Sequence, residues 1–246
     1  MSEGFRPVSN TPPIGFMGSL KFYGRMLLDL QALTIYNHLK KVVPSFKGDV
    51  IDVGCGQSPY RFLLDKNATQ YFGIDVKEAA SFDYDNKDIT YFNGSDIPFE
   101  DNRFSGLICT EVIEHVHHYQ KLINEMHRVM KPGATGVITI PWSARFHYDP
   151  YDYFRYTPST LKIMFAGFSE AVITPRGSDI SNIANKVIVL WVRNLLPTTF
   201  WQWLFFPVWF ALLPIPVLVT LIAHISLVLN LGSVGDPLGY TIFLKK

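Results

Sequence analysis

The chain has only two cysteines among its 246 residues, and neither builds a framework. Cys55 lies in a glycine turn and Cys109 in an apolar run. Neither has metal-ligand spacing, so a disulfide scaffold is excluded and two small buried thiols in a reducing compartment are expected. An excess of one charge is missing too: 22 Lys and Arg against 21 Asp and Glu leave a formal net charge of +1. Nothing electrostatic therefore calls for a nucleic-acid partner. The polar, proline-rich start from Met1 to Pro13 has no apolar run of the signal-peptide kind. The largest absence is local. From Asn194 to Gly235 there is no Asp, Glu, Lys or Arg at all.

What is present organises around Val50-Ile-Asp-Val-Gly-Cys-Gly-Gln-Ser-Pro-Tyr60. Val50 to Val53 is long enough for one buried strand, and Gly54 and Gly56 end it in a tight turn open to close approach by a ligand. Ser58 and Pro59 have helix-start chemistry, Ser as N-cap and Pro at the first helical position, which predicts a short helix over 60–66. A strand, a Gly-x-Gly turn and a helix form the mouth of a doubly wound α/β sheet, where a nucleotide-like cofactor lies on strand ends. A dinucleotide fingerprint would place a third Gly where Pro59 stands, and Asp52 would repel a pyrophosphate. Asp52 suits a cationic ligand instead.

Strands are expected at 71–75, 89–93, 104–110 and 135–141, with a helix over 120–130 between the last two. Alternation of this kind gives a parallel sheet with right-handed crossovers. One helix over 20–43 precedes the first strand and ends at Pro44; Tyr23 and Arg25 on it are either a solvated face or part of a lid. Asp75 closes the second strand 23 residues after Asp52, where such folds use an acidic side chain on ribose hydroxyls.

Five motifs then occur in order: Asp-Val-Gly-Cys-Gly at 52–56, Gly-Ile-Asp at 73–75, Asp-Ile-Pro-Phe at 96–99, Glu-Val-Ile-Glu-His at 111–115 and Arg-Val-Met-Lys-Pro-Gly at 128–133. Over about residues 45–178 the chain resembles the class I S-adenosylmethionine-dependent methyltransferases, in the small-molecule group called type 11. It departs from them at Gln57-Ser58-Pro59 and at Ser105, where an Asp is usual. The resemblance implies a Rossmann-like sheet of seven strands, the last antiparallel, and S-adenosylmethionine as cofactor. It implies that Asp52, Gly54, Cys55 and Gly56 border the amino-acid end of that molecule, that Asp75 with Val76 meets its ribose, and that Asp96 with Ile97 meets its adenine, with Thr110 completing the cofactor set.

For an oxygen acceptor, methyl transfer is helped by a general base. His115 and His147 are the candidates, past the ends of the fourth and fifth strands. Glu111, Glu114 and His115, read on one helical face and joined by His147, form an alternative metal set for magnesium, manganese or zinc; the expectation adopted is no metal. The string Asp152-Tyr-Phe-Arg-Tyr-Thr157 is similar to a segment of methyltransferases from cell-surface glycan clusters. Tyr153, Arg155 and Tyr156 are accordingly expected to bind substrate, against the plainer reading of a packed aromatic loop with one internal ion pair.

Strands at 171–175 and 240–245 are separated by more than sixty residues, far beyond a hairpin turn. The expected organisation is a lead-in and helix over 1–44, a cofactor-binding domain over 45–178, an apolar helical insert over 179–235 and a final strand over 236–246. An amphipathic helix over 181–196 opens the insert. Two apolar stretches follow, 201–213 and 217–231. Each gives roughly 20–22 Å of helix, short of a hydrocarbon core of about 30 Å. A shallow hairpin in one leaflet is therefore expected over 198–232, with Trp201, Trp203 and Trp209 at headgroup level; a buried cap or a dimer interface is the competing arrangement. The protein is expected on the cytoplasmic side of a membrane, peripheral or monotopic, methylating an oxygen of a polyprenyl-linked sugar or, second, a quinone-like lipid. The rival functions are a nicotinamide-dependent oxidoreductase and a non-catalytic scaffold that binds a partner through the insert.

Overall fold

The computed structural model describes residues 10–82, 86, 88–195 and 197–246; the first nine residues of the lead-in lie outside it. In chain order the elements are α1 (Gly15–Arg25), α2 (Leu30–Val42), β1 (Gly48–Val53), β2 (Thr69–Val76), β3 (Ile89–Phe92), β4 (Phe104–Thr110), α3 (Tyr119–Val129), β5 (Met130–Pro141), α4 (Pro158–Met164), β6 (Glu170–Arg176), α5 (Asp179–Leu195), α6 (Phe200–Ala211), α7 (Pro214–Leu229) and β7 (Gly239–Lys245). The sheet runs β3-β2-β1-β4-β5-β7-β6. Five strands are parallel, and β7 is antiparallel to both β5 and β6. This is the Rossmann-like class I methyltransferase sheet that the motifs imply. The order turns about at β1 and β4, so the ends of β1, β2 and β4 frame the crevice where such sheets hold ligands.

Central strands buried on both faces read as continuous apolar runs. Val50, Ile51, Leu107 and Ile138 are fully buried, with Ile51, Leu107 and Ile138 in the larger core under α3 and α4 and Val50 in the core under α2.

Three local expectations fail. The single helix over 20–43 is two helices: the chain breaks at Met26–Leu28, and Asp29 caps α2 by accepting from the Ala32 amide at 3.0 Å. The helix over 60–66 shrinks to one 3-10 turn at Arg61–Leu63, and Ser58 is not its cap, because it sits at φ +53° with its hydroxyl drawn into the interior. The segment 111–116 is not helical as a whole. Glu111 is left-handed at φ +53°, only Ile113–His115 forms a 3-10 turn, and α3 starts at Tyr119. Glu111, Glu114 and His115 therefore share no helical face.

The insert leaves and returns at one point, since Arg176 of β6 pairs with Gly239 of β7. The neck is cinched by Ser178 Oγ on the Leu231 carbonyl at 2.7 Å and the Asp179 amide on the Ser233 carbonyl at 2.9 Å. Outgoing α5 and returning α7 form the hairpin, packing Ala184 and Ile188 against Ala223 and, from α2, Leu30. The α6–α7 pair is bent by only 64°. It is not the hairpin itself, because two residues and Pro214 join those helices. Instead α6 caps the outer end, where the Trp191 indole donates to the Trp209 carbonyl at 3.1 Å. No single helix among the described residues is long and apolar enough to cross a membrane; the bent pair α6 and α7 has that length and composition only when its two helices are summed.

Candidate functional site

The turn after β1 holds two carboxyl groups side by side. Gly54 is at φ +70° and Gly56 at +49°, and a Cβ on Gly54 would overlap the Val112 side chain, so the turn needs glycine there. The amides of Gly54 and Cys55 both donate to the Ile74 carbonyl, at 2.9 and 3.0 Å, which lays the turn against β2. The Gly56 amide reaches one Asp75 oxygen at 2.8 Å and the Val76 amide the other at 2.8 Å. Each oxygen keeps a further lone pair, enough to accept a pair of vicinal hydroxyls.

Asp52 is buried behind this turn and accepts from the Tyr71 hydroxyl at 2.8 Å. That phenol has one proton, so the Ser58 hydroxyl 2.7 Å away donates to Tyr71 in turn. Asn86 closes the chain by donating to Ser58 Oγ and the Gly56 carbonyl. Burial pushes the Asp52 carboxyl up to about 7; the Tyr71 hydroxyl pulls the other way, and the charge of Asp75 adds to the rise. Burial raises Asp75 as well, against its two amides. Two buried carboxyls whose charges oppose each other, beside a backbone that can be approached closely, fit a cationic ligand bearing hydroxyls.

The other cofactor candidates divide. Val76 contributes its amide to Asp75, and Thr110 lies half-buried at the tip of β4 beside Thr139. The Cys55 side chain is turned inward, where a Cβ on Gly73 would meet its sulfur at 2.9 Å, so only its backbone borders the turn. Asp96 is exposed and engaged by Lys121 at 2.6 Å, with Asn93 and Ser95 also donating to it. Ile97 packs its side chain into the core, and its amide donates to Glu125 at 3.0 Å. The expected adenine pair is thus a loop pinned by Lys121, Glu125 and Arg128, the last donating to the carbonyls of Ile97 and Phe99. The i,i+3 spacing of Glu125 and Arg128 was visible in the sequence; the loop they hold was not.

On the acceptor side the structure brings His115 and His147 together, ring centroids 4.9 Å apart and edge to face. His115 Nδ1 lies 2.7 Å from the Tyr151 carbonyl, which can only accept, so Nδ1 carries the proton and Nε2 is left as the acceptor. His147 Nδ1 likewise lies against the Arg145 carbonyl and Asp152. Burial holds His115 down to about 4, the Tyr151 carbonyl raising and His147 lowering it. His115 Nε2 is buried without a hydrogen-bond partner, 3.6 Å from a Glu114 carboxyl that is itself fully buried and unpartnered. Burial and the neighbouring Glu111 raise the Glu114 carboxyl well above its usual range. It is held neutral.

The substrate candidates do not all face this place. Arg155 is closed on Asp152 by two bonds of 2.6 and 2.8 Å and on the Arg145 carbonyl at 3.1 Å, which is the internal ion pair of the plainer reading. Tyr156 is a core residue, buried and directed at the Ile113 carbonyl. Tyr153 is exposed beside His117, and its amide donates to the Glu114 carbonyl. The alternative metal set is dispersed, because Glu111 turns away to Arg176 at 2.7 Å. No group of three or more His, Cys, Asp or Glu able to hold a metal ion occurs among the described residues.

Arg176 is the residue that sequence reasoning missed. Fully buried at the end of β6, it donates to Glu111, to the carbonyls of Ile140 and Tyr240, and to Gln31 and Thr34 of α2. It ties the neck of the insert to the tip of β4 and to the N-terminal helices. An arginine at a strand end carries no sequence mark of burial.

Residues 51–138 match the family model described as a methyltransferase domain. The chain is 28% identical over 97 residues to a Mycolicibacterium smegmatis protein named "Probable S-adenosylmethionine-dependent methyltransferase", covering 38% of each chain. It is 26% identical over 137 residues to the demethylmenaquinone methyltransferase of Listeria monocytogenes, covering 48% of this chain and 56% of that one. The chain spans about half the length of the curated relatives it matches. Among solved structures, a SAM dependent methyltransferase from Archaeoglobus fulgidus superposes with a TM-score of 0.55 at 18% identity, over 95% of this chain and 100% of that one. Residues 51–138 are thus similar to a methyltransferase domain, and the chain has the class I methyltransferase fold.

Proposed function

We propose that this protein is an S-adenosylmethionine-dependent methyltransferase that works at a membrane surface on a lipid-borne acceptor. The observation that carries the transferase reading is the pair Asp52 and Asp75 at adjacent strand tips around the Gly54–Gly56 turn. S-adenosylmethionine, when bound, supplies a methyl group on a positively charged sulfur. Asp52 takes its ammonium group and Asp75 its ribose hydroxyls, and the glycines let its backbone approach pass. Holding donor and acceptor in line is worth roughly 7–11 kcal/mol of barrier. The His115–His147 pair takes the proton of an acceptor hydroxyl, the His115 tautomer being set by the Tyr151 carbonyl. His147 packs edge-on and keeps that ring in place.

The membrane part rests on α6 and α7. No residue of α6 is buried, and its Phe200, Trp201, Trp203, Leu204, Phe205 and Phe210 side chains are each more than half exposed. Apolar surface of that extent, without one charge from Asn194 to Gly235, is what a bilayer covers. Of the two acceptor classes, a quinone-like lipid gains support from the demethylmenaquinone methyltransferase among the relatives. The sugar class loses its expected cation to the Arg155–Asp152 pair. Calorimetry with S-adenosylmethionine and flotation with phospholipid vesicles test the two halves separately. Absence of donor binding refutes the transferase. Vesicle binding that survives Trp201→Glu with Phe205→Glu refutes the membrane contact.

A further inference from the structure

The helix α1 has two faces with different company. Inward, Phe22 and Met26 are buried, and the Phe22 ring meets those of Phe62 and Tyr60 at 5.4 and 6.2 Å, directly behind the glycine turn. Just before the helix, the Asn10 amide donates to Gln57 of that turn at 2.7 Å. Outward, Ile14, Phe16, Met17 and Leu20 are all more than half exposed, and Leu27 and Leu28 continue the strip past the helix end. The strip joins the insert physically, because His224 of α7 donates to the Leu27 carbonyl at 3.0 Å. Between Asn10 and Leu28 the chain carries Lys21 and Arg25; Arg25 is paired with Asp29 at 2.6 Å, and Lys21 stands exposed. That sign is the one anionic headgroups attract.

We propose that the outward face of α1 is a second bilayer contact, continuous with α7, and that docking it fastens α1 across the glycine turn so that an anionic lipid surface tightens binding of the methyl donor. The inference rests on the reading that α6 and α7 meet the bilayer and adds a residue set and a consequence to it. Beside the glycine turn, α1 is held by packing of Phe22 and Met26 into the core under α2, and the segment before it by the Asn10 amide on Gln57. Seating Phe16, Met17 and Leu20 in lipid adds a restraint on the same helix from its other side, and whatever orders the helix before the donor arrives lowers what the donor must order.

The test compares the wild type, Phe16→Glu with Leu20→Glu, and Trp201→Glu with Phe205→Glu, by flotation with phosphatidylcholine–phosphatidylglycerol vesicles and by donor calorimetry with and without them. The α1 variant is expected to bind vesicles about tenfold or more weakly, having forfeited transfer of two apolar side chains. Its donor affinity should match the wild type without vesicles and fail to rise with them. Because Cys55 and Cys109 are buried, a fluorophore on Phe16→Cys reports the same face independently and should shift to the blue on vesicle addition. Vesicle binding lost in the α6 variant and intact in the α1 variant, with no shift of that fluorophore, overturns the inference and leaves the membrane reading standing. Binding intact in both variants removes the membrane reading itself. Wild-type donor affinity indifferent to vesicles overturns the coupling, and a wild-type dimer that dissociates in Phe16→Glu with Leu20→Glu assigns the face to a second copy.

Discussion

The carboxyl of Asp52 allows a direct test of how the donor is held. Its rise from 3.8 to about 7 corresponds to about 4 kcal/mol by which the interior disfavours the charge. A bound ammonium reverses that preference, so the donor binds the ionised form. Below pH 7 binding must first expel a proton, and the dissociation constant should climb toward tenfold for each pH unit. Above about 8 the donor's own α-amino group loses its proton and affinity falls again. Calorimetry from about pH 5.5 to about 8.5 in buffers of unlike ionisation enthalpy should show proton release on the acid limb alone. Asp52→Asn should weaken binding at pH 7.5 by about ten- to hundredfold, the worth of a hydrogen bond to a charged group, and flatten the acid limb to whatever Asp75 contributes. Tyr71→Phe should move that limb upward, because the phenol now lowers the Asp52 pKa. The free protein should show the opposite balance. A carboxyl raised on folding gives stability that is complete below 3.8 and lost as pH rises through about 7, so Asp52→Asn should melt higher than wild type at pH 8. Donor affinity constant from about pH 5.5 to 7.5, or unchanged in Asp52→Asn, would refute the assignment.

Asp75→Ala should weaken donor binding about tenfold or more, read by the same calorimetry. His115→Asn should lower kcat by about 10²–10⁴ with donor affinity unchanged; since burial keeps that imidazole neutral down to about 4, wild-type kcat should be flat between about pH 6 and 8. Arg176→Met should cost about 3–5 kcal/mol in urea unfolding, because Glu111 and the Ile140 and Tyr240 carbonyls lose their buried partner. A chelator should leave methyl transfer intact, as Glu111 is committed to Arg176; loss of activity restored by a divalent ion would reverse that.

The strands were legible because a strand buried on two faces has one solution in sequence, an uninterrupted apolar run, and the motifs sat at their tips. The positions of Asp52, Gly54, Gly56 and Asp75 followed from the same logic. Helix ends were less legible. Ser58-Pro59 has the chemistry of a helix start, yet Tyr71 and Asn86, from β2 and beyond, draw the hydroxyl inward. Glu111 to His115 reads as helix by composition, but Arg176 holds Glu111 in place 65 positions away.

Local chemistry along the chain thus determined the sheet, the glycine turn and the uncharged insert, because backbone preference and apolar periodicity act over a few residues. Which carboxyl points where, which arginine is spent on an internal pair, and that α7 meets the turn after α1 at Leu27 were decided only by tertiary contacts. Those choices depend on partners brought from elsewhere in the chain, and no short window of sequence contains both members of such a pair.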